Sequence, residues 1–183
     1  MESKKCNEKE YLMLRDEILH MDTLVNNTIN FFYVFVAGIL TFSFSQDDSI
    51  FLLTTYVVMI PAYIMVLSKT IGIYRVASYL YVFHEGGVFN WERRNKKIMD
   101  SSMFRIFKEI SSINLPFFFV SLFVLIIFCV KTNWDNIGEK YELLKIFLSF
   151  SLYMVQLILI IKNRKITLDK YIPIWKNIYS SEN

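Results

Sequence analysis

Four stretches of this chain hold no charged residue and are long enough, or nearly so, to cross a bilayer: Thr23–Gln46, Ser49–Ser68, Ser111–Val130 and Ile146–Ile161. A bilayer's hydrocarbon core is about 30 Å thick and takes about 20 apolar residues in helical form. A helix also satisfies its own backbone groups in lipid, which an open strand cannot do. These stretches therefore dictate an all-α membrane protein with four transmembrane helices. Hydrophobic residues make up 54% of the chain and the mean hydropathy is +0.36. Their placement matters more, because nearly all the charge lies between the four blocks. The spans are drawn at about 26–46, 49–68, 111–130 and 143–161. The last is lengthened by Leu143 and Leu144 if Lys145 snorkels outward. The 183 residues read as a single membrane domain.

Charge placement sets the expected topology. Lys and Arg number four in residues 1–22, none in Gln46–Ser49, eight in Lys69–Ile110, three in Lys131–Lys145 and five after Ile161. With a cytoplasmic N-terminus the inner side carries seventeen and the outer side three. The positive-inside rule thus expects both termini and the segment 69–110 in the cytoplasm. The chain's Lys, Ile, Asn, Phe and Tyr bias suggests an AT-rich bacterial genome, so the membrane is expected to be a bacterial inner (plasma) membrane. Residues 1–22 contain six acids beside their four cations, and no short apolar core with a small-residue cleavage site follows, so a secretory signal is not expected there. Cys6 and Cys129 fall on opposite sides of the membrane in this topology and imply no disulfide framework.

Helical extensions are expected on the inner side. Tyr11, Leu14, Ile18, Met21 and Val25 recur at spacings of 3, 4, 3 and 4 and form one apolar stripe. No Gly or Pro separates this amphipathic helix from the first span, so the two are expected to form one rod. A stripe of heptad spacing wants a partner helix, from the same chain or a neighbouring subunit, where it would act as a gate or oligomerisation surface. Lying on the membrane is its competing use. The helical pattern of span two, which contains Pro61, continues through Ile73, Val76, Leu80 and Phe83, and Gly86-Gly87 stops it. Asp100-Ser101-Ser102 reads as a cap before a helix at Met103–Ile110. Trp134 and Tyr141 are expected as interfacial anchors. In the tail 162–183, Leu168, Ile172, Trp175 and Tyr179 share a face that suits a helix on the inner membrane surface, bent or interrupted at Pro173.

The central parts of the spans hold no Asp, Glu, Lys, Arg or His. Such groups mark proton relays and ion-coupled pathways, so their absence argues against a proton-coupled transporter, a pump or an enzyme buried in the bilayer. No metal-ligand cluster, phosphate-cradling Gly loop or catalytic triad is present in the sequence, so no metal, cofactor or catalytic residue is assigned. Span one instead carries Asn27, Asn30, Ala37, Thr41 and Ser45 on one helical row. Small-residue rows serve close helix packing, and the same row would serve as the wall of a water-lined pore in a homo-oligomer. Ser149 and Gln156 on span four carry the same two readings. Between spans two and three, Arg75, His84, Trp91, Arg93, Arg94, Lys96 and Lys97 combine guanidinium forks that suit phosphates with a ring that stacks on bases. They are candidates for a nucleotide or oligonucleotide ligand. A juxtamembrane basic run also suits anionic lipid headgroups.

Arg15-Asp16-Glu17-Ile18-Leu19-His20 resembles the Arg-x-x-x-x-His motif of HEPN-family ribonucleases, in which Arg and His from two subunits meet at a dimer cleft. The pattern fixes two positions and stands directly before a span, outside any helical bundle. His20 is therefore expected on an interhelical surface rather than in a catalytic pair. The whole architecture of small size, four spans, helical extensions and a basic inner face resembles the membrane effectors of bacterial phage-defence operons, such as the Hailong-type channel subunit. That resemblance implies an oligomeric channel or membrane-disrupting effector gated by a cytoplasmic nucleic-acid signal, and it transfers no individual functional residue. The alternatives are a non-conducting membrane anchor that recruits a soluble operon partner through the N-terminal stripe, and a membrane-tethered ribonuclease using Arg15 and His20.

Overall fold

Four helices carry the apolar stretches, and two of them run well past the residues needed to cross lipid. They are α1 (Glu2–Ser45), α2 (Leu53–Phe83), α3 (Asn114–Lys131) and α4 (Lys140–Asn163); a short helix α5 (Ile172–Glu182) ends the chain. The computed structural model describes residues 2–46, 49–83, 114–132, 140–163 and 166–182, with side chains from residue 8 to 181 within those ranges. No strand occurs among the described residues. Among the described residues four helices are long and apolar enough to cross a membrane, which makes this a multi-pass α-helical membrane protein. The expected Gly86-Gly87 stop, the Asp100-Ser101-Ser102 cap, the helix at Met103–Ile110 and Trp134 lie outside the described residues.

The helices gather into two compact units. Within the described ranges, the terminal unit comprises residues 2–27, 67–83 and 166–182. The span unit comprises 28–46, 49–66, 114–132 and 140–163.

In the terminal unit the N-terminal half of α1 lies against the second half of α2. Tyr11 and Val25 are buried, and Leu14, Ile18 and Met21 are half-buried. The stripe thus finds its partner within the same chain. The two helices are close at Gly72, where a Cβ would stand 2.7 Å from the Met21 sulfur. Any larger residue on α2 there would push Met21 aside. Ala77, Ser78 and Leu80 extend the core along α2. Helix α5 begins at Ile172 with Pro173 in its first turn, where proline's missing N–H has no intrahelical acceptor to lose. Its aromatic face is occupied by α2: Trp175 stands edge-on to Tyr79 at 5.2 Å, and Tyr179 edge-on to Phe83 at 5.3 Å. The tail's apolar face, expected on the membrane surface, therefore packs on a helix of its own chain.

The span unit is centred on aromatic contacts. Phe117 of α3 is fully buried, stacks on Phe32 of α1 at 4.9 Å and meets Tyr63 of α2 edge-on at 5.2 Å. Such pairs add about 0.5–1.5 kcal/mol beyond burial. Their phenols are satisfied without water. Tyr63 donates to the Asn114 side chain (2.8 Å) and Tyr56 to the Ser121 carbonyl (2.9 Å). At the other end of α3, the Lys131 ammonium donates to the carbonyls of Ser43 and Gln46 (2.6 Å for the latter), closing the C-terminus of α1. Lys145 departs from its expected outward snorkel. It is buried, pairs with Glu142 one turn earlier at 2.5 Å and lies 4.8 Å from the Tyr141 ring centre. A neutralising partner one turn away makes a long reach to solvent unnecessary.

Candidate functional site

The first candidate is the row on α1. Within the span, the buried positions Phe32, Val36 and Ser43 fall on one face. At 100° per residue, Asn27, Asn30, Ala37, Thr41 and Ser45 centre about 160° round the helix from them. All five are exposed. Thr41 bonds its own helix at the Ala37 carbonyl (2.9 Å), and Ser45 does so at the Phe42 carbonyl (2.7 Å). Asn30 has no hydrogen-bond partner among the described residues. Gly38 borders the row, and a Cβ there would meet nothing within 4 Å. The most apolar window of α1 is 17% buried, against 39% for α2, so α1 leaves most of its surface to whatever surrounds the chain.

Span four resolves the opposite way. Ser149 and Gln156 are fully buried, and neither Gln156 side-chain atom finds a hydrogen bond. The ambiguity these two shared with the α1 row in the sequence is gone, because their face of α4 points into the chain's own core.

The second candidate lies wholly in the terminal unit. A cavity of about 340 Å³ is lined by Glu10, Leu14, Glu17, Gly72, Arg75, Val76, Tyr79 and Trp175. Tyr79 donates its phenolic proton to Glu10 at 2.6 Å. The Trp175 indole N–H donates to the Arg75 carbonyl at 3.2 Å, which fixes the ring. Arg75 is exposed, and no ion pair joins it to Glu10 or Glu17. Two carboxylates and one guanidinium thus line a single cavity without closing on each other.

Of the residues proposed for a phosphate ligand, Arg75 alone is described, and it sits beside two acids. His84, Trp91, Arg93, Arg94, Lys96 and Lys97 lie outside the described residues. Sequence reasoning missed Glu10 and Trp175 as neighbours of Arg75. A usable signal was present: Glu10 and Glu17 are seven apart on α1, and Arg75 and Tyr79 four apart on α2, so each pair shares a helix face. His20, expected between helices, is exposed, while Arg15 is half-buried. Five residues apart on one helix, the two point about 140° away from each other and cannot converge within one chain. Among the described residues no group of three or more His, Cys, Asp or Glu could hold a metal ion. Comparison with protein-family models, with curated proteins and with solved structures finds no match.

Proposed function

We propose that the protein works as a homo-oligomeric membrane channel or membrane-disrupting effector, in which the α1 rows of neighbouring copies face one another or a shared aqueous path. The observation that carries this reading is the outward direction of Asn27, Asn30, Ala37, Thr41 and Ser45. Lipid is a poor neighbour for such a face. A carboxamide unpaired in an apolar medium costs several kcal/mol. Ala37 and Gly38 allow a second backbone to approach closely, and Asn, both donor and acceptor, can bond a copy of itself. Water in a pore would satisfy the same groups.

The continuity of α1 from Glu2 to Ser45 supplies a means of control. The helix that carries the row is held further back by its stripe against α2. A change in that packing would turn or shift the row, because no break intervenes. A ligand would drive the change only if it bound one arrangement more tightly than the other. Under the positive-inside topology the terminal unit faces the cytoplasm. The basic segment with His84, Trp91, Arg93, Arg94, Lys96 and Lys97 would then receive a nucleotide or oligonucleotide signal, as in the phage-defence effectors that the architecture resembles.

Planar-bilayer recording of purified protein, paired with its mass in detergent, tests the reading. An oligomeric mass and conductance that Asn30→Leu or Thr41→Val alters are expected. A monomeric mass together with no conductance under any candidate nucleotide would overturn it.

A further inference from the structure

We propose that the terminal-unit cavity is a binding site for a zwitterion that carries a primary amine and an anionic group, of the phosphoethanolamine type. The cavity's lining has both poles of such a ligand. Glu10 and Glu17 accept N–H bonds, Arg75 supplies a cation with a planar donor fork, and no ion pair ties that cation to either acid. Leu14, Val76 and the fixed Trp175 ring offer an apolar wall to a short alkyl linker. A volume of about 340 Å³ is at the small end of ligand sites, which run from about 300 Å³ upward. Two carboxylates make the cavity itself a poor seat for a polyphosphate.

The position of the site along α2 points to a lipid source for such a ligand. Span two ends at Ser68, and Arg75 lies seven residues further along the same helix. That is about 10 Å at 1.5 Å per residue. Headgroups occupy about the first 5–7 Å beyond the hydrocarbon, so with the span ending at Ser68 the Gly72 end of the cavity, about 6 Å out, stands at headgroup level and Arg75 at its aqueous edge. An ethanolamine phospholipid presents its phosphate and ammonium there, and a soluble amine zwitterion could also enter from the water. A choline headgroup fits less well: its quaternary nitrogen has no N–H to give Glu10 and Glu17.

Native mass spectrometry of the full chain, delipidated and reloaded from an equal mixture of phosphatidylethanolamine, phosphatidylcholine and phosphatidylglycerol with matched acyl chains, tests the inference. Phosphatidylethanolamine is expected to be retained about tenfold over phosphatidylcholine, the ratio that the loss of charge-assisted hydrogen bonds predicts. Glu17→Gln and Arg75→Gln should each remove most of that preference, whereas Asp16→Asn, at an exposed acid on the same helix, should not. Free phosphoethanolamine added as competitor separates the sources. Displacement of the bound lipid makes the soluble zwitterion a ligand in its own right, and no displacement assigns the site to the lipid. Equal retention of the three lipids by the unaltered protein, a preference for phosphatidylglycerol, or an equal loss in Asp16→Asn overturns the proposal. Lipid selectivity needs no conducting pore, so the inference can stand where the channel reading fails, and the reverse.

Discussion

Span one and span four each carry a polar row, and the two rows face opposite ways. On α4, Ser149 and Gln156 are sealed in the core, with the Gln156 amide unpaired. On α1, Asn30, Thr41 and Ser45 lie on the surface, with both hydroxyls bonded back to their own helix. Polar side chains in a membrane helix act as glue only where a partner group meets them. The α4 row has met its own chain and is left short of partners. The α1 row is exposed and bonds no other helix among the described residues. An inward row tunes the stability of one copy, whereas an outward row addresses whatever lies beside the copy. That difference, rather than the mere presence of polar residues, supports an assembling function for α1.

The largest expected effect is on the inward row. Gln156→Leu replaces an unpaired amide by an apolar group of similar size. Relief of the buried polar penalty should stabilise the span unit by about 1–3 kcal/mol, read as reversible unfolding in mixed detergent micelles. A loss of more than about 1 kcal/mol would mean that the amide has a partner, such as a bound water, and the contrast between the rows would narrow.

Next come the two described glycines that differ most in surroundings. Gly72→Leu must displace Met21 and should destabilise the terminal unit by about 1–3 kcal/mol through overpacking. Gly72→Ala should come out near neutral, since the flexible end of Met21 can move and alanine's helix propensity returns up to about 1 kcal/mol. Gly38→Leu meets open space and should not destabilise a single copy, gaining up to about 1 kcal/mol through helix propensity. If copies meet along the row, the same substitution should weaken self-association. Fluorescence transfer between labelled copies in vesicles would read it. An unchanged association constant would remove α1 as the contact.

Asn30→Leu probes the row's chemistry more gently. Intramembrane polar contacts are worth about 0.6–1.7 kcal/mol, so association should fall about three- to twentyfold while single-copy stability holds or rises. Tighter association on this change would make the contact an apolar one, with Phe31, Val34 and Phe35, all exposed nearby, as its substance.

The spans could be read from the sequence because charge is excluded from them, and the stripe Tyr11–Val25 because its spacing is helical. What the stripe and the tail would touch could not be read. An amphipathic face records that something apolar covers it, and a bilayer, a second copy and a neighbouring helix all qualify. Here the cover for Trp175 and Tyr179 is Tyr79 and Phe83, each 96 residues away along the chain. The cavity was hidden for a related reason: Glu10, Glu17 and Arg75 each look like solvated charges until α1 and α2 are brought together. Lys145 departs from outward snorkelling because Glu142, an acid one turn back, lies within reach of its ammonium. The α1 row was visible as a row, but its outward direction needed the burial of Phe32, Val36 and Ser43 as a reference.

The smallest effect asks what the α1 row faces. The Thr41 hydroxyl is bonded to the Ala37 carbonyl of its own helix, so Thr41→Val removes little from a single copy, within about 0.5 kcal/mol. Against a packed neighbour the extra methyl matters only through fit, and association should shift about twofold or less. Against a column of water the same change replaces a wetted hydroxyl with a dry methyl on every subunit at once. Conductance should then fall severalfold while the association constant stays put, because hydrophobic constrictions close pores by expelling water. Measured together, conductance and association separate a pore wall from a packing seam on one substitution. A drop in association with no change in current assigns the row to the seam.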